Sequence, residues 1–384
     1  MDRADGPGAL DALFGTLRRR PDVEAPNLFA VDAADRLILD EADDALSAAP
    51  AGSVVVIGDH YGALTLGAAV RHGATGIRVH QDPLTGELAL AANARDTLRD
   101  GCYRTLPLGT TLVEGARVVL LQVPRSLAEL AEGAETIARA ADPEVVVYAG
   151  GRDKHMTLAM NDVLGRSFEH VRPSRGRQKA RVLVASGPVP GPATYPVTEY
   201  VADIDLTVVA HGAVFAGATL DIGTRFLLEH LPAPSPQVRT AVDLGCGSGI
   251  LAVSLARRHP ELVVTATDQS AAAVASAAAT AAANGVADRV RTLRDDAMST
   301  LPDASVDLVV CNPPFHVGAA VHTGGARKMF EAAGRVLRPG GELWTVFNTH
   351  LGYRSALERL VGPTRHVARG PKFTVARSIV PIPD

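Results

Sequence analysis

Cysteine and lysine are scarce in this chain of 384 residues, and no apolar stretch in it is long. Three scattered cysteines, Cys102, Cys246 and Cys311, provide neither a disulfide framework nor the clustered ligands of a structural metal site. Lysine occurs four times against 34 arginines, and alanine is abundant, which is the mark of base-composition bias, so arginine counts by themselves say little about partners. No run is apolar and charge-free for long enough to span a membrane. Met1 to Leu10 carries acids where a signal peptide would carry a basic segment, so the expectation is a soluble, cytoplasmic protein. A formal net charge of −4 excludes a global basic footprint, and any nucleic-acid contact has to be local. The length allows two domains, and a hydrophobic content of 47% allows each a substantial core.

The most informative stretch is Asn312-Pro313-Pro314-Phe315, which follows Asp307-Leu308-Val309-Val310-Cys311, a run with the composition of a buried parallel strand. Two consecutive prolines make a stiff, extended loop that lacks two N–H groups. Backbone carbonyls near Asn312 and Pro313 are thereby offered to a ligand, beside the Asn312 amide oxygen and the Phe315 ring. Two acceptors and a stacking face suit a flat group that carries an NH2. The other reading of this tetrapeptide is a proline-rich turn after a core strand.

Upstream, Val242-Asp243-Leu244-Gly245-Cys246-Gly247-Ser248-Gly249 reads as a strand end, a glycine turn and the start of an apolar helix, Ile250 to Arg258. Alternate glycines let backbone approach a ligand closely, and the helix start offers unpaired N–H groups. A second strand, Leu262 to Thr267, ends at Asp268, an acid suited to ribose hydroxyls. After the alanine-rich helix Ala271 to Ala283 and a short strand come Asp295-Asp296. Asp296 is the candidate acceptor for an adenine amino group, with Asp295 as the alternative. Asp221 or Thr224 caps a helix that covers the site or serves as a structural lid. Arg338-Pro339-Gly340-Gly341 reads as a turn before strand Glu342 to Phe347, and the chain ends in a hairpin around Gly370-Pro371.

The first half repeats this order in worn form. Strands begin at Val54, Ile77, Ala116 and Glu144, alternating with helices, which implies a parallel sheet. Gly58-Asp59-His60-Tyr61-Gly62 stands for the glycine turn, Asp82 for the acid after the second strand, and Gln122-Val123-Pro124-Arg125 for the proline motif. In this alignment no acceptor side chain takes the Asn312 position and no aromatic the Phe315 position. Internal duplication accounts for the match; similar loop lengths in two unrelated parallel sheets are the alternative. The half closes on Arg166, Arg172, Arg175, Arg177, Lys179 and Arg181, a loop-like basic patch suited to phosphates or, alternatively, a charged edge. A proline-rich connector, Gly187 to Pro192, marks the boundary.

Taken together, the glycine turn, Asp268 and the N-P-P-F motif resemble a class I S-adenosylmethionine-dependent methyltransferase that modifies amino groups. Over nearly the whole chain, the pattern Val214-Phe215, Leu220 to Gly223, Asp243 to Gly247, Asn312 to His316 and Phe373 to Arg377 resembles the ribosomal RNA guanine-N(2) methyltransferases. Ile57 to Leu66 is more similar to the large-subunit enzyme than to its small-subunit sibling. The resemblance implies an α/β protein of two tandem Rossmann-like methyltransferase domains with mainly parallel sheets. Residues 1–190 would form a degenerate copy used for RNA recognition, and 191–384 the catalytic domain. Asn312, Pro313 and Phe315 are then the catalytic candidates, with His316 close by. Asp243, Gly245, Gly247, Gly249, Asp268, Asp296 and Asn312 would hold S-adenosylmethionine, and Arg172, Arg175, Arg177 and Lys179 would contact RNA. The implied partner is ribosomal RNA or a subunit precursor, met by a monomer without metal. Methylation of adenine or of a protein glutamine, and a non-catalytic assembly role, are the competing functions.

Overall fold

The computed structural model describes residues 6–97, 99, 101–314 and 322–383. The chain divides into two compact units, Met1–Tyr195 and Pro196–Asp384. The division falls just beyond the proline-rich connector, a few residues later than the connector's composition suggests.

The first unit holds β1 (Val54–Ile57), β2 (Ile77–His80), β3 (Tyr103–Thr105), β4 (Val118–Gln122), β5 (Val146–Arg152), β6 (Phe168–Pro173) and β7 (Ala180–Pro188) in one sheet of order β3-β2-β1-β4-β5-β7-β6. The second begins with a hairpin, β8 (Val197–Val201) and β9 (Leu206–Ala210). Its sheet comprises β10 (Thr240–Leu244), β11 (Val263–Asp268), β12 (Val290–Arg294), β13 (Val306–Cys311), β14 (Leu337–Asn348), β15 (Thr364–Arg369) and β16 (Phe373–Ile379), ordered β12-β11-β10-β13-β14-β16-β15. The two orders are the same. In each, five parallel strands are followed by a hairpin whose inner strand runs antiparallel.

Unbroken apolar strands bury both faces. In the second unit Ala241, Leu308 and Val310 point into one core, while Val242, Val309 and Cys311 point into the other. The helix Ala271–Ala283 forms because alanine has the highest helix propensity and Ser270 caps it, accepting from the Ala273 N–H at 3.0 Å. The β8–β9 hairpin, which carries no turn signature in the sequence, is tied to that helix: the Val209 N–H donates to Thr280 Oγ1 at 3.0 Å, and Asn284 Nδ2 to the Thr207 carbonyl at 2.7 Å.

Two expectations are corrected here. Arg338 to Gly341 is not a separate turn; it lies inside β14, where the pairing with β13 shifts between Val306 and Leu308. The basic run is only partly a loop: Arg175, Arg177 and Lys179 lie in the connection between two strands, while Arg172 and Arg181 lie on the strands themselves. Arg172 lies on edge strand β6, and the chain returns along β7. At the tip Arg177 and Ala180 exchange two backbone hydrogen bonds (3.0 and 2.9 Å) around Gln178 and Lys179, both at positive φ (51° and 61°). That is a two-residue turn of the mirror-image type, which fits the twist of a hairpin.

Candidate active site

The site of the second unit lies at the carboxyl ends of β10, β11 and β13, where open α/β sheets bind ligands. Beyond β10 the Gly245 and Cys246 N–H groups both donate to the Thr267 carbonyl, at 2.9 and 3.1 Å. Gly247 turns at φ 53°, and a Cβ built on it would meet nothing within 4 Å, so the turn faces open space. Its N–H donates to Asp268 Oδ2 at 3.1 Å, while Asp268 Oδ1 accepts from Ser270 N–H at 3.0 Å. Gly249 is the N-cap of the helix Ile250–Arg258 at φ 81°, and a Cβ there would come within 2.8 Å of the Ala277 Cα. Only glycine allows that approach.

Asp243 supplies the cap that Gly249 lacks: its Oδ2 accepts from the Ala252 N–H at 2.9 Å. Its Oδ1 is buried with no hydrogen-bond partner among the described residues. Burial pushes the carboxyl up to about 7, with a smaller contribution from the charge of Asp268. An open glycine turn, a helix amino end, and a buried carboxylate oxygen in need of a donor fit a polar ligand that carries positive charge, as S-adenosylmethionine does.

Asn312 is held by a helix that the sequence assigns only to covering. Asp221 caps the helix Ile222–His230, accepting from Gly223 N–H at 2.9 Å and Thr224 N–H at 3.3 Å. The same carboxylate accepts from Asn312 Nδ2 at 3.3 and 3.4 Å, and Thr224 Oγ1 accepts from it at 3.0 Å. A carboxylate is acceptor-only, so it fixes which end of the amide faces it. Asn312 Oδ1 is thereby left buried and without a partner among the described residues. An unmet buried acceptor costs about 1–3 kcal/mol, and a donor from a ligand relieves it.

Of the two acids after β12, Asp295 is occupied. It accepts from Ser299 Oγ (2.5 Å), Asp296 N–H (2.7 Å), Thr300 N–H (2.9 Å) and Thr300 Oγ1 (2.7 Å). These bonds outweigh its burial and hold the carboxyl below its usual range. Asp296 is the more available acid, paired to Lys328. Burial pushes the thiols of Cys246 and Cys311 well up, which suits small core residues and not nucleophiles. Pro313 is buried and Pro314 exposed; Phe315 and His316 lie outside the described residues. Arg172, Arg175, Arg177 and Lys179 are exposed in the first unit, with Arg177 paired to Asp40 at 2.9 Å.

The strand registers show how the first copy differs. Ile57 pairs with Leu121 and His80, as Leu244 pairs with Cys311 and Thr267. His60, at φ 56°, therefore repeats the backbone of Gly247 at 53°, but sets an imidazole where Gly247 leaves space. The register also corrects two sequence equivalences. Gln81, not Asp82, stands at the Asp268 position, and its Nε2 donates to the Gly86 carbonyl at 3.1 Å. Gln122 stands at the Asn312 position, so an amide is present there; its Nε2 donates to Asp35, on the helix Ala33–Glu41. Both oxygens of Asp59 accept from helix N–H groups, of Leu64 at 2.7 Å and Thr65 at 2.9 Å, in contrast to the half-used Asp243.

Comparison with known proteins agrees with this layout. Residues 10–188 match the RLMG N-terminal domain family, and residues 205–377 the Methyltransferase small domain family. Over 374 residues the chain is 36% identical to the ribosomal RNA large subunit methyltransferase G of Streptomyces coelicolor, covering 94% of this chain and 97% of that protein. Over 366 residues it is 37% identical to the protein of the same name from Pseudomonas aeruginosa, covering 94% and 96%. Among solved structures, the T. thermophilus 16S rRNA N2 methyltransferase RsmC, in complex with AdoMet and guanosine, shares the fold with a TM-score of 0.72 at 23% identity, over 93% of this chain and 97% of that one. The chain belongs to the ribosomal RNA large subunit methyltransferase G family.

Proposed function

We propose that this protein methylates the exocyclic N2 amine of a guanine in large-subunit ribosomal RNA, with S-adenosylmethionine as donor. The observation that carries the reading is the unpartnered Oδ1 of Asn312, fixed by Asp221 and Thr224 at the end of β13. Gly245, Gly247, Gly249, Asp243, Asp268 and Asp296 hold the cofactor, which when bound supplies an electrophilic methyl group.

The guanine amine is a weak nucleophile because its lone pair is delocalised into the ring. Asn312 Oδ1 and the carbonyl at Pro313 accept hydrogen bonds from its two N–H groups. That orients the lone pair outward and favours the positive charge that develops on nitrogen. Most of the remaining acceleration is positioning. The base has to leave its stack first, and Phe315 offers it a new stacking face.

The first unit recognises the RNA, through Arg172, Arg175, Arg177 and Lys179 at the β6–β7 edge and hairpin tip. The protein acts as a monomer in the cytoplasm, where its substrate is assembled. No helix of the described residues is long and apolar enough to cross a membrane, and no cluster among them could hold a metal ion.

The test is nucleoside mass spectrometry of ribosomal RNA from a strain lacking the protein. Loss of one N2-methylguanosine, restored by the wild-type chain but not by Asn312→Ala, is the expected result. Loss of a methyladenosine, or no change, would overturn the assignment of the base.

A further inference from the structure

Asn348 ends β14, the strand beside β13. It is the N-cap of the short 3-10 helix Thr349–Leu351, a position where asparagine usually caps, yet its side chain makes no capping hydrogen bond. Its Oδ1 is buried and has no partner among the described residues.

The register shows where this second unmet acceptor points. Val310 pairs with Trp344 and Cys311 with Thr345. Val310, Trp344 and Val346 share one core with Leu227 and Leu228 of the helix Ile222–His230, whereas Cys311 and Phe347 belong to the core on the opposite face. Side chains alternate along a strand, so Asn312, two residues past Val310, and Asn348, two past Val346, emerge on the same face. Continuing the pairing by one residue sets Asn312 beside Val346, with Asn348 one strand over and two residues further out. Strand spacing and rise then separate the two Cα atoms by about 8 Å. That separation is one that two asparagine side chains can span to flank one edge of a purine.

We propose that Asn348 reads the target base by accepting the N1–H of guanine, while Asn312 accepts from the neighbouring C2 amine; this rests on the proposed guanine-N2 reaction. Of the ring atoms on either side of guanine C2, N1 carries a proton and N3 does not, so an acceptor at this place selects the Watson–Crick edge. The first copy supports the assignment by contrast. Ala149 pairs with Leu121 as Thr345 pairs with Cys311, so Arg152 occupies the Asn348 position, again as the residue before a 3-10 helix. A guanidinium has only donors and cannot take N1–H. Asn348 is thus a specificity-determining residue.

The experiment is single-turnover methylation of two synthetic RNAs that contain the mapped target, one with guanine and one with 2-aminopurine, which keeps the C2 amine and lacks N1–H. Wild-type protein should favour guanine by roughly 10- to 100-fold, the range expected when a buried acceptor is left without its donor. Asn348→Ala should lower kcat/KM on guanine by a similar factor and lose no more on 2-aminopurine. Asn348→Asp, which keeps an acceptor in place, should recover most of the loss on guanine. Cofactor affinity should be the same in all three proteins. If Asn348→Ala discriminates as well as wild type, the inference is wrong. Equal turnover of the two RNAs by wild type overturns it even if a variant fails to fold. Absence of any methylated guanine with wild type would instead overturn the proposed reaction itself.

Discussion

Asp221 holds Asn312: one carboxylate caps the helix Ile222–His230 and also accepts from the Asn312 amide at 3.3 Å. The acid therefore orients the amide whose oxygen is proposed to meet the substrate. Asn312→Ala should lower single-turnover kcat by about 10²–10³, the usual effect of removing one preorganised polar interaction with a transition state. Asp221→Ala should lower kcat less, because Thr224 still accepts from the amide, and should lower stability by about 1 kcal/mol through removal of the cap. Asp221→Ser separates the two roles. Serine caps well but is too short to reach Asn312, so melting should stay near wild type while kcat falls. A wild-type rate for Asp221→Ser would show that Asn312 needs no such support.

If Asp243 holds the cofactor as proposed, binding should depend on pH. Burial pushes its carboxyl in the folded protein up to about 7, above the ordinary carboxylate range, and the nearby charge of Asp268 adds to the effect. A raised acid stabilises the fold fully below the unfolded range near 4, and that contribution is lost as pH rises through about 7. A positively charged ligand prefers the ionised form, so the sign for binding is opposite. Calorimetric affinity for S-adenosylmethionine should strengthen from pH 5.5 to about 7 and level off above it. Asp243→Asn should flatten the profile. A flat profile in the wild-type protein would separate this carboxylate from the cofactor.

One cofactor should bind per chain. In the first copy the imidazole of His60 takes the space left by Gly247, and Gln81 replaces the acid at the Asp268 position. The segment before the sheet also packs on that turn. Tyr61 donates its hydroxyl to Asp22 at 2.5 Å, and the Arg19 guanidinium lies 4.6 Å from the centre of the Tyr61 ring. Calorimetry should give a stoichiometry of one, and Asp268→Ala should weaken binding by about 1.5–3 kcal/mol, the scale of hydrogen bonds to a charged group. A stoichiometry of two would mean that the first site still works.

Much of this was legible in the residues, and what was not has physical causes. Parallel strands announce themselves as apolar runs, and the glycine turn and Asn312 follow them at the strand ends where ligands bind. The equivalences in the first copy went astray by a residue, since spacing in the sequence absorbs loop-length differences that only strand register resolves. Gln122 and Gln81 emerge from pairing alone. The β6–β7 tip was hidden because Gln178 and Lys179 adopt positive φ without the glycine or asparagine that usually marks such a turn. The second role of Asp221 could not be read either, since its bond to Asn312 joins residues 91 positions apart.

The basic hairpin offers a test in which its own arginines serve as controls. Arg175 and Lys179 project from the exposed tip, and Arg172 from the edge strand. Arg177 differs, because it is paired to Asp40 on the helix Ala33–Glu41. If the tip meets RNA, Arg175→Glu and Lys179→Glu should each weaken binding to a ribosomal RNA fragment. Each should also reduce the slope of log affinity against log salt by about one for every phosphate that is no longer neutralised. Both should leave cofactor affinity and melting unchanged, since neither side chain supports the core. Arg177→Glu breaks the pair with Asp40 and sets two carboxylates against each other. Half-exposed pairs of this kind contribute about 0.2–1 kcal/mol, so its melting should fall slightly, whatever its effect on RNA. The useful comparison is Arg177→Gln with Arg175→Gln, which removes charge without adding repulsion. If Arg177 is held by Asp40 in the complex as well, Arg175→Gln should cost more RNA affinity than Arg177→Gln. Equal affinity for all of these variants at fixed salt would make the run a charged edge that protects β6 from strand addition, a role that needs no RNA.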